Sequence, residues 1–500
     1  MKTYKVSSHI DPDKLFLVNR SELEGRLDPN FYKPKYTNLV YQISKKECLK
    51  LKQIVKFSNE TWNQIDFFEN QFPYIEIGEV NLETGYINSI KEIPISGAPS
   101  RAKMVARAYD ILISTTRPTR GAVSYLKDIG KINIASTGFS IIRNIKKEII
   151  LREYLFYVLR LPILLEQMGQ RSSGGNYPAI TQEELGNIII PLPPLEIQQQ
   201  IVDYYQKAYQ QKQQKEAEAQ ALLESIDTYL LTELGIALPE KDNSLQNRIF
   251  TTMLSEISGG RLDPKLYDTN TTRLKRSLYN TDENRFIKYP LKKLIVQSIS
   301  GDWGSEKVDD FDKQKYKKCL VIRATEFDND YNLNLINPRI KFRLIKNEKL
   351  KKIDIQENDL LIEKSGGSPD QPVGRIAILD NKIINENIIC YSNFIHKIRI
   401  NEKLINPKYL FSYLKTIYNI KLTESMQSQT NGIRNLIMSN YFNQTILIPK
   451  NQDNSVNFEK QNEIAEHIQQ LRSRAKHLQE EAKNILEQAK QEVEKMILGE

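Results

Sequence analysis

Six short strings recur in the same order along this chain, and together they constrain it to a tandem duplication. Arg26-Leu27-Asp28-Pro29 returns as Arg261-Leu262-Asp263-Pro264, an offset of 235. Asp110-Ile111-Leu112-Ile113 is answered by Asp359-Leu360-Leu361-Ile362, and Tyr154-Leu155-Phe156 by Tyr409-Leu410-Phe411. Ile190-Pro191 matches Ile448-Pro449. Leu195-Glu196-Ile197-Gln198 matches Phe458-Glu459-Lys460-Gln461, and Gly235 matches Gly499. The offset only grows, to 264 at the last match, so the second copy carries insertions.

Each copy follows one internal plan. Short β-rich runs come first: 72–80, 110–114 and 139–143 in copy one, and 319–324, 359–363 and 394–400 in copy two. A helical stretch (151–161; 407–418) precedes a Gly/Ser/Asn-rich loop and a last strand (188–190; 445–448). Proline closes the region, with Pro191, Pro193 and Pro194 in copy one and Pro449 alone in copy two. A long Gln/Glu/Lys-rich helix follows each time.

Those helices carry an apolar seam. In the second, Ile464, Ile468, Leu471, Ala475, Leu478, Ala482, Ile485 and Ala489 repeat in steps of four and three. The equivalent positions of the first are Ile201, Tyr205, Ala208, Lys212, Lys215, Ala219, Leu222 and Ile226. One such stripe suits a helix packed on its own domain equally well. Two in register suit a helix that pairs with its copy, about 60 Å long at 1.5 Å per residue. Lys212 and Lys215 interrupt the seam, and either snorkel out of it or meet an acidic partner. Heptad spacing alone permits parallel or antiparallel pairing.

Charge and absences narrow the function. The net charge of +9 favours an anionic partner such as nucleic acid. Cys48, Cys319 and Cys390 form no CxxC pair, which argues for a reducing compartment and against a thiolate metal site. His9, His396, His467 and His477 are scattered, and no HExxH, phosphate-binding GxxxxGK[ST] or GxGxxG occurs. No secretory h-region and no membrane-spanning apolar run is present. The nearest string to an adenine-methylating Asn/Asp-Pro-Pro-aromatic motif, Asp28-Pro29-Asn30-Phe31, lacks the second proline. The chain reads as a duplicated binder, and duplex DNA presents equivalent half-sites about 34–36 Å apart.

The residues resemble the specificity (S) subunits of type I restriction-modification enzymes, over nearly the whole chain. The resemblance is carried by Arg-Leu-Asp-Pro with an aromatic soon after (Phe31-Tyr32; Tyr267) and by Glu363-Lys364-Ser365-Gly366-Gly367-Ser368-Pro369 followed by Pro372-Val373-Gly374-Arg375. Its most specific string is the Ile-Pro-Leu-Pro-Pro-Leu-Glu-x-Gln run at 190–198, from which copy two departs at 448–461. The fold so implied is mixed α/β: two tandem globular target recognition domains and two long helices pairing as an antiparallel coiled coil with pseudo-twofold symmetry. The expected divisions are an N-terminal arm (1–20), domain one (21–194), helix one (195–235), a linker (236–258), domain two (259–450) and helix two (451–500). The resemblance further implies that each domain reads one half of a bipartite, asymmetric double-stranded DNA site. The helices would set the spacer and dock methyltransferase (M) subunits, two per chain. Restriction (R) subunits complete the complex, in the cytoplasm and with no membrane partner. S-adenosylmethionine, ATP and Mg would sit on those partners, leaving this chain without cofactor, metal or catalysis.

Candidate DNA contacts follow the loops. In copy one they are Arg101, Lys103 and Arg107 before a strand, Arg117, Thr119 and Arg120 after it, and Arg171, Ser172, Ser173, Asn176 and Tyr177 in the Gly/Ser loop. In copy two they are Lys364, Ser365, Gly366, Gly367, Arg375, Gln427, Gln429, Thr430, Asn431 and Arg434. Guanidiniums bind phosphate or guanine, and amides and hydroxyls bind base edges. Taken singly, each of these cations reads more readily as a solvated surface charge, and it is the sets matched between the copies that point to DNA. The recurring Arg-Leu-Asp-Pro, Trp62 and Trp303 read as structural. Three competing readings remain. Asp359 with Glu363-Lys364 faintly resembles a metal-dependent nuclease site, although adjacent residues face opposite sides of a strand. A coiled-coil scaffold without nucleic acid and a specificity partner of a type II-like fused enzyme are the others.

Overall fold

The computed structural model describes residues 9, 11–24, 27–63, 67–127, 132–242, 244–254, 257, 267–308, 312, 314–328, 333–335, 337, 339–367, 371–430 and 433–499. Arg26 and the whole second Arg-Leu-Asp-Pro string, at 261–264, lie outside the described residues, as do Ser368, Pro369 and Asn431. Two compact units form, Met1–Ala217 with Leu478–Glu500, and Glu218–His477.

The first unit begins with helix α1 (Pro34–Ser44), strand β1 (Cys48–Lys50), the short α2 (Leu51–Ile54) and β2 (Val55–Ser58). Strands β3 (Gln71–Ile75), β4 (Lys91–Pro94), β5 (Ala102–Ala106), β6 (Ile111–Ser114), β7 (Val123–Tyr125), β8 (Asn133–Ser136) and β9 (Phe139–Ile145) follow. Then come α3 (Arg152–Val158), α4 (Pro162–Gln170), α5 (Gln182–Gly186), β10 (Ile189–Pro191) and the long α6 (Leu195–Glu233). The sheets order as β2-β9-β6-β7, β4-β3-β8-β5 and β1-β10. β3 and β8 run parallel.

The second unit contains α7 (Thr269–Tyr279), β11 (Phe286–Pro290), β12 (Ile295–Ser300), β13 (Tyr316–Ile322), β14 (Lys341–Lys346) and α8 (Asn347–Ile353). It continues through β15 (Leu360–Glu363), β16 (Ser365–Gly366), β17 (Ile376–Ile378), α9 (Asn381–Glu386), β18 (Ile389–Tyr391) and β19 (Ile395–Ile400). It closes with α10 (Pro407–Asn419), β20 (Gln427–Thr430), β21 (Ile433–Leu436), α11 (Met438–Asn443), β22 (Thr445–Pro449) and α12 (Phe458–Leu498). Its sheets order as β12-β19-β15-β17, β14-β13-β18 and β11-β22. The first unit's plan therefore repeats strand for strand, including a parallel pair, β13 with β18. The additions are local: β5 on an edge in copy one, and a small β16-β21-β20 sheet in copy two.

The repeated strings explain why the plan repeats. Asp110 and Asp359 open equivalent strands and are buried against arginines of the neighbouring strand, Arg143 at 2.9 Å and Arg399 at 2.8 Å. Burial of such carboxylates is tolerated only with a partner of this kind. Tyr154 donates its hydroxyl to Pro191 O at 2.8 Å, and Tyr409 donates to Leu447 O at 2.7 Å, so the same tyrosine ties the helix to the last strand twice. Gln198, wholly buried, accepts from Leu151 N and donates to Ile149 O and Pro193 O. Gln461 accepts from Asn406 N at 2.8 Å, but its Nε2 finds no acceptor among the described residues.

Each long helix contributes to both units, and pairing within each unit is antiparallel. In the second unit Glu218 meets Arg474 at 2.7 Å, Tyr229 packs on His467, and Glu233 meets Lys460 at 2.9 Å. In the first, Lys215 meets Glu481 at 2.7 Å. Ile201, Tyr205 and Ala208 of α6 share a core with Leu486, Ala489, Val493 and Ile497 of α12 and with the buried face of α3, where Tyr205 stacks on Tyr157. Ile226, Ile464, Ile468 and Leu478 are buried as the seam requires, and Leu471 is half-buried. The seam shifts by one position in two places. Leu223 (8 % exposed) and Leu486 (6 %) take the inward places expected of Leu222 and Ile485, which are half-buried. A helix of 3.6 residues per turn drifts from a 3.5 repeat, and the drift is absorbed there. Lys212 does not snorkel out: it is 4 % exposed, between Glu83 and Glu216. Burial works against its charge, but the two carboxylates prevail and raise its pKa. Gly235 and Gly499 end the two helices in left-handed conformation, at φ +67° and +72°, where glycine is favoured.

Replacing Gln198 by leucine strands one buried N–H and two carbonyls, and is expected to destabilise the chain by about 3 kcal/mol. Gln461→Leu loses one bond and is expected to cost roughly half as much. Gln199→Leu, on the exposed face, should stay within about 0.5 kcal/mol. Equilibrium urea denaturation of the full chain measures all three.

Candidate nucleic-acid interface

In the first unit β6 delivers the chain into a loop whose backbone is tied down at several points. Arg117 sits at φ +49°, an uncommon conformation for a residue with a Cβ, and its N–H donates to Pro178 O at 2.7 Å. Its guanidinium donates to Asn176 O at 3.0 Å and lies over the Tyr177 ring, 4.2 Å from the centroid. Thr116 and Ser173 both bridge to Ala179, and Ile180 N donates to Thr115 O. The Arg-Pro-Thr-Arg-Gly loop and the Gly/Ser loop thus form one ridge, although about 50 residues separate them in sequence. Thr119, Arg120, Ser173 and Asn176 are exposed on it, and Tyr177 is 70 % exposed. Backbone bonds extend the neighbourhood: Thr115 N to Gly138 O, and Thr137 N to Arg101 O. Arg101, exposed, borders the ridge through this connection; Lys103, also exposed, lies two residues further along β5, where its carbonyl accepts from Trp62 N.

The second unit brings the equivalent two segments together by a different device. Lys364, just after β15, donates its N–H to Phe394 O and accepts at its carbonyl from Leu436 N. β16 then pairs with β21, which pairs with β20. Ser365 Oγ donates to Asn435 Oδ1 at 2.7 Å, and Gln427 Oε1 accepts from Val373 N at 3.3 Å. Gly366 and Gly367 take positive φ, +131° and +72°. Arg434 is half-buried on β21 opposite Gly366. Gln429 and Thr430 lie on the β20 backbone, with their side chains outside the described residues, and Asn431 lies wholly outside.

Three of the expected cations are committed to the fold. Arg107 makes two bonds to Glu60, which also binds Arg143, and the Arg107 hydrogen bond holds the Glu60 carboxyl below its usual range despite burial. Arg171 is buried against Glu184 and Glu24 and over Phe31, while Ser172 donates to Met168 O. Arg375 makes a two-point pair with fully buried Glu363 and donates to two carbonyls, Ala324 O and Phe327 O. The same pairs remove the support for a nuclease centre. Asp359 is engaged by Lys397 and Arg399, Glu363 by Arg375, and Lys364 Nζ turns to Ser300 Oγ instead. Among the described residues no group of three His, Cys, Asp or Glu is arranged to hold a metal ion. Trp62 packs with Phe68 and Phe72 and donates to Ala102 O, as a core residue.

A protein-family model described as the type I restriction modification DNA specificity domain matches residues 43–225 and again 281–488. The chain belongs to this type I restriction-modification DNA specificity family. Among curated proteins, the type I restriction enzyme MjaVIII specificity subunit of Methanocaldococcus jannaschii is 28 % identical over 163 residues. That match spans 31 % of this chain and 38 % of the relative. Among solved structures, one titled for complex assembly and conformational transition of the type I R-M system has a TM-score of 0.49 at 19 % identity, covering 91 % of this chain and 96 % of that one. The HsdS subunit from Thermoanaerobacter tengcongensis has a TM-score of 0.39 at 20 % identity, with the same coverage.

Sequence reasoning on this specificity-family chain missed the group behind Lys364. His396 on β19 contacts Ser298 Oγ at 2.7 Å and Ser300 Oγ at 3.2 Å, and Ser300 Oγ also receives Lys364 Nζ at 3.1 Å. A lone histidine inside a β-rich run gives no signal by itself. Burial, and then the Lys364 charge, push the imidazole pKa down from 6.5 to about 4. The neutral ring is therefore the folded-state form.

Between those two values the unfolded chain binds a proton that folded His396 refuses. The stability gained from keeping it neutral is complete above pH about 6.5 and is lost as pH falls toward about 4. His396→Gln is expected to flatten the fall in unfolding midpoint across that window relative to wild type. Parallel curves for the two proteins would contradict the assignment.

Proposed function

We propose that this chain is the non-catalytic DNA-specificity subunit of a type I restriction-modification complex. Residues 21–194 and 259–450 each read one half of a bipartite, asymmetric site in double-stranded DNA. The paired helices set the spacer and dock two methyltransferase subunits. Methylation and ATP-driven cleavage, with S-adenosylmethionine, ATP and Mg, belong to partner M and R subunits, in the cytoplasm. None of the helices among the described residues is long and apolar enough to cross a membrane.

The observation that carries this reading is the recurrence of one loop ridge at the same topological place in both copies. In each, the segment after the Asp-initiated strand meets the segment between the helical stretch and the last strand. The first ridge offers Arg101, Lys103, Arg117, Thr119, Arg120, Ser173, Asn176 and Tyr177 to solvent or its border. The second carries Lys364, Ser365, Gln427 and Arg434, all half-buried, with Gln429 and Thr430 on β20; Asn431 lies outside the described residues. Exposed cations suit phosphates, and amides and hydroxyls suit base edges. Arg107, Arg171 and Arg375 are committed to ion pairs within the fold and are not assigned contacts.

The test is binding by the full chain assembled with its methyltransferase partners. Affinity for duplex DNA is expected to fall steeply with salt, because phosphate contacts release counterions. Replacing Arg101, Lys103 and Arg120 together by alanine should weaken binding alike on every sequence and flatten the log–log salt slope by about 3. An unchanged affinity and slope would overturn this assignment, and absence of DNA binding would favour a scaffold.

A further inference from the structure

The turn between β18 and β19 in the second unit corresponds to the turn between β8 and β9 in the first. In both, the residue just before the long strand accepts, at its carbonyl, the N–H of the residue that starts the ridge: Thr115 N to Gly138 O at 2.8 Å, and Lys364 N to Phe394 O at 2.9 Å. Ser365 N adds a second bond to Phe394 O at 3.3 Å. The carbonyl contact recurs although the turn is one residue longer in copy two (392–394 against 137–138), and the side chain at this position is hydrogen in copy one and phenyl in copy two. Glycine there shows that the turn itself does not need an aromatic ring. Yet Phe394 is 53 % exposed, and its carbonyl is held by two hydrogen bonds, from Lys364 N and Ser365 N. An exposed phenyl at the start of the ridge offers apolar surface there that copy one, with glycine, does not.

Resting on the functional reading above, we infer that Phe394 is a specificity-determining residue that contacts the 5-methyl group of a thymine in the half-site read by the second domain. The chemistry fits the groove. The thymine methyl is the apolar feature among the base edges of the major groove, and apolar side chains are its usual readers. Lys364, joined to Phe394 through the backbone, adds a donor for a phosphate or base acceptor at the same place. The first domain, with Gly138 at this position, lacks the contact. The two copies thus share a scaffold and differ in what they read.

Thymine-to-uracil replacement removes that methyl group and nothing else. With the full chain in complex with its methyltransferase subunits, and the site known from methylated-adenine mapping, each thymine of the two half-sites is replaced in turn. One replacement in the second half-site is expected to weaken wild-type binding about fourfold, the worth of one buried methyl group. Phe394→Gly should bind the thymine and uracil duplexes equally, whereas Phe394→Leu should keep most of the difference. Preferences in the first half-site should be the same in all three proteins. A second half-site without any A·T pair, or a uracil effect that survives Phe394→Gly, would overturn the inference. A loss of affinity in Phe394→Gly with no uracil effect in wild type would also overturn it, pointing to base stacking instead. Wild-type binding without sequence preference would instead bring down the functional reading, and this inference with it.

Discussion

The apolar seam shared by α6 and α12 is the constraint on which the rest of the structure depends. Within the first unit, Ile201, Tyr205 and Ala208 close a core with Leu486, Ala489, Val493 and Ile497, residues nearly 300 positions later in sequence. The recognition domain leans on the same surface through Tyr157 and the buried face of α3. Glu494 adds a polar tie: its carboxylate accepts from Ile163 N at the start of α4, a place where negative charge is favoured, and burial raises its pKa. The first unit therefore cannot complete its core until the last residues of the chain are present. The second unit, Glu218–His477, is continuous in sequence. Contacts so distant in sequence form slowly, because loop closure precedes their reward.

Much of this was legible in the sequence because a duplication prints the same constraints twice. The recurring Asp, Tyr and Gln strings each turned out to hold one buried interaction, and the shared strand order follows from them. One further repeat was available and unused. Arg143 and Arg399, at offset 256, sit between the matched strings and complete the buried Asp pairs. Which cations remain free was not legible. Arg107 finds Glu60 47 positions away, and Arg171 finds Glu24 147 positions away. No local pattern announces such pairs. The one-position shift at Leu223 and Leu486 was hidden because a strict heptad count does not follow the drift of a helix with 3.6 residues per turn.

The ridges show how a duplicated scaffold can diverge at its loops while conserving its frame. Copy one builds its ridge with a strained Arg117 laid over Tyr177, and copy two with a three-stranded sheet around Ser365 and Asn435. Beneath both, the same strands, the same Asp–Arg pair and the same helix-anchoring glutamine recur. Sequence readout placed on loops of that frame can change without disturbing the core.

The central claim is that the two copies read DNA independently. Its most direct measurement is a genome-wide map of methylated adenines in cells whose complex carries this chain with residues 21–194 exchanged for those of a relative. The account predicts that one half of the recognised site changes while the other half stays the same. A change in both halves, or in neither, would contradict it.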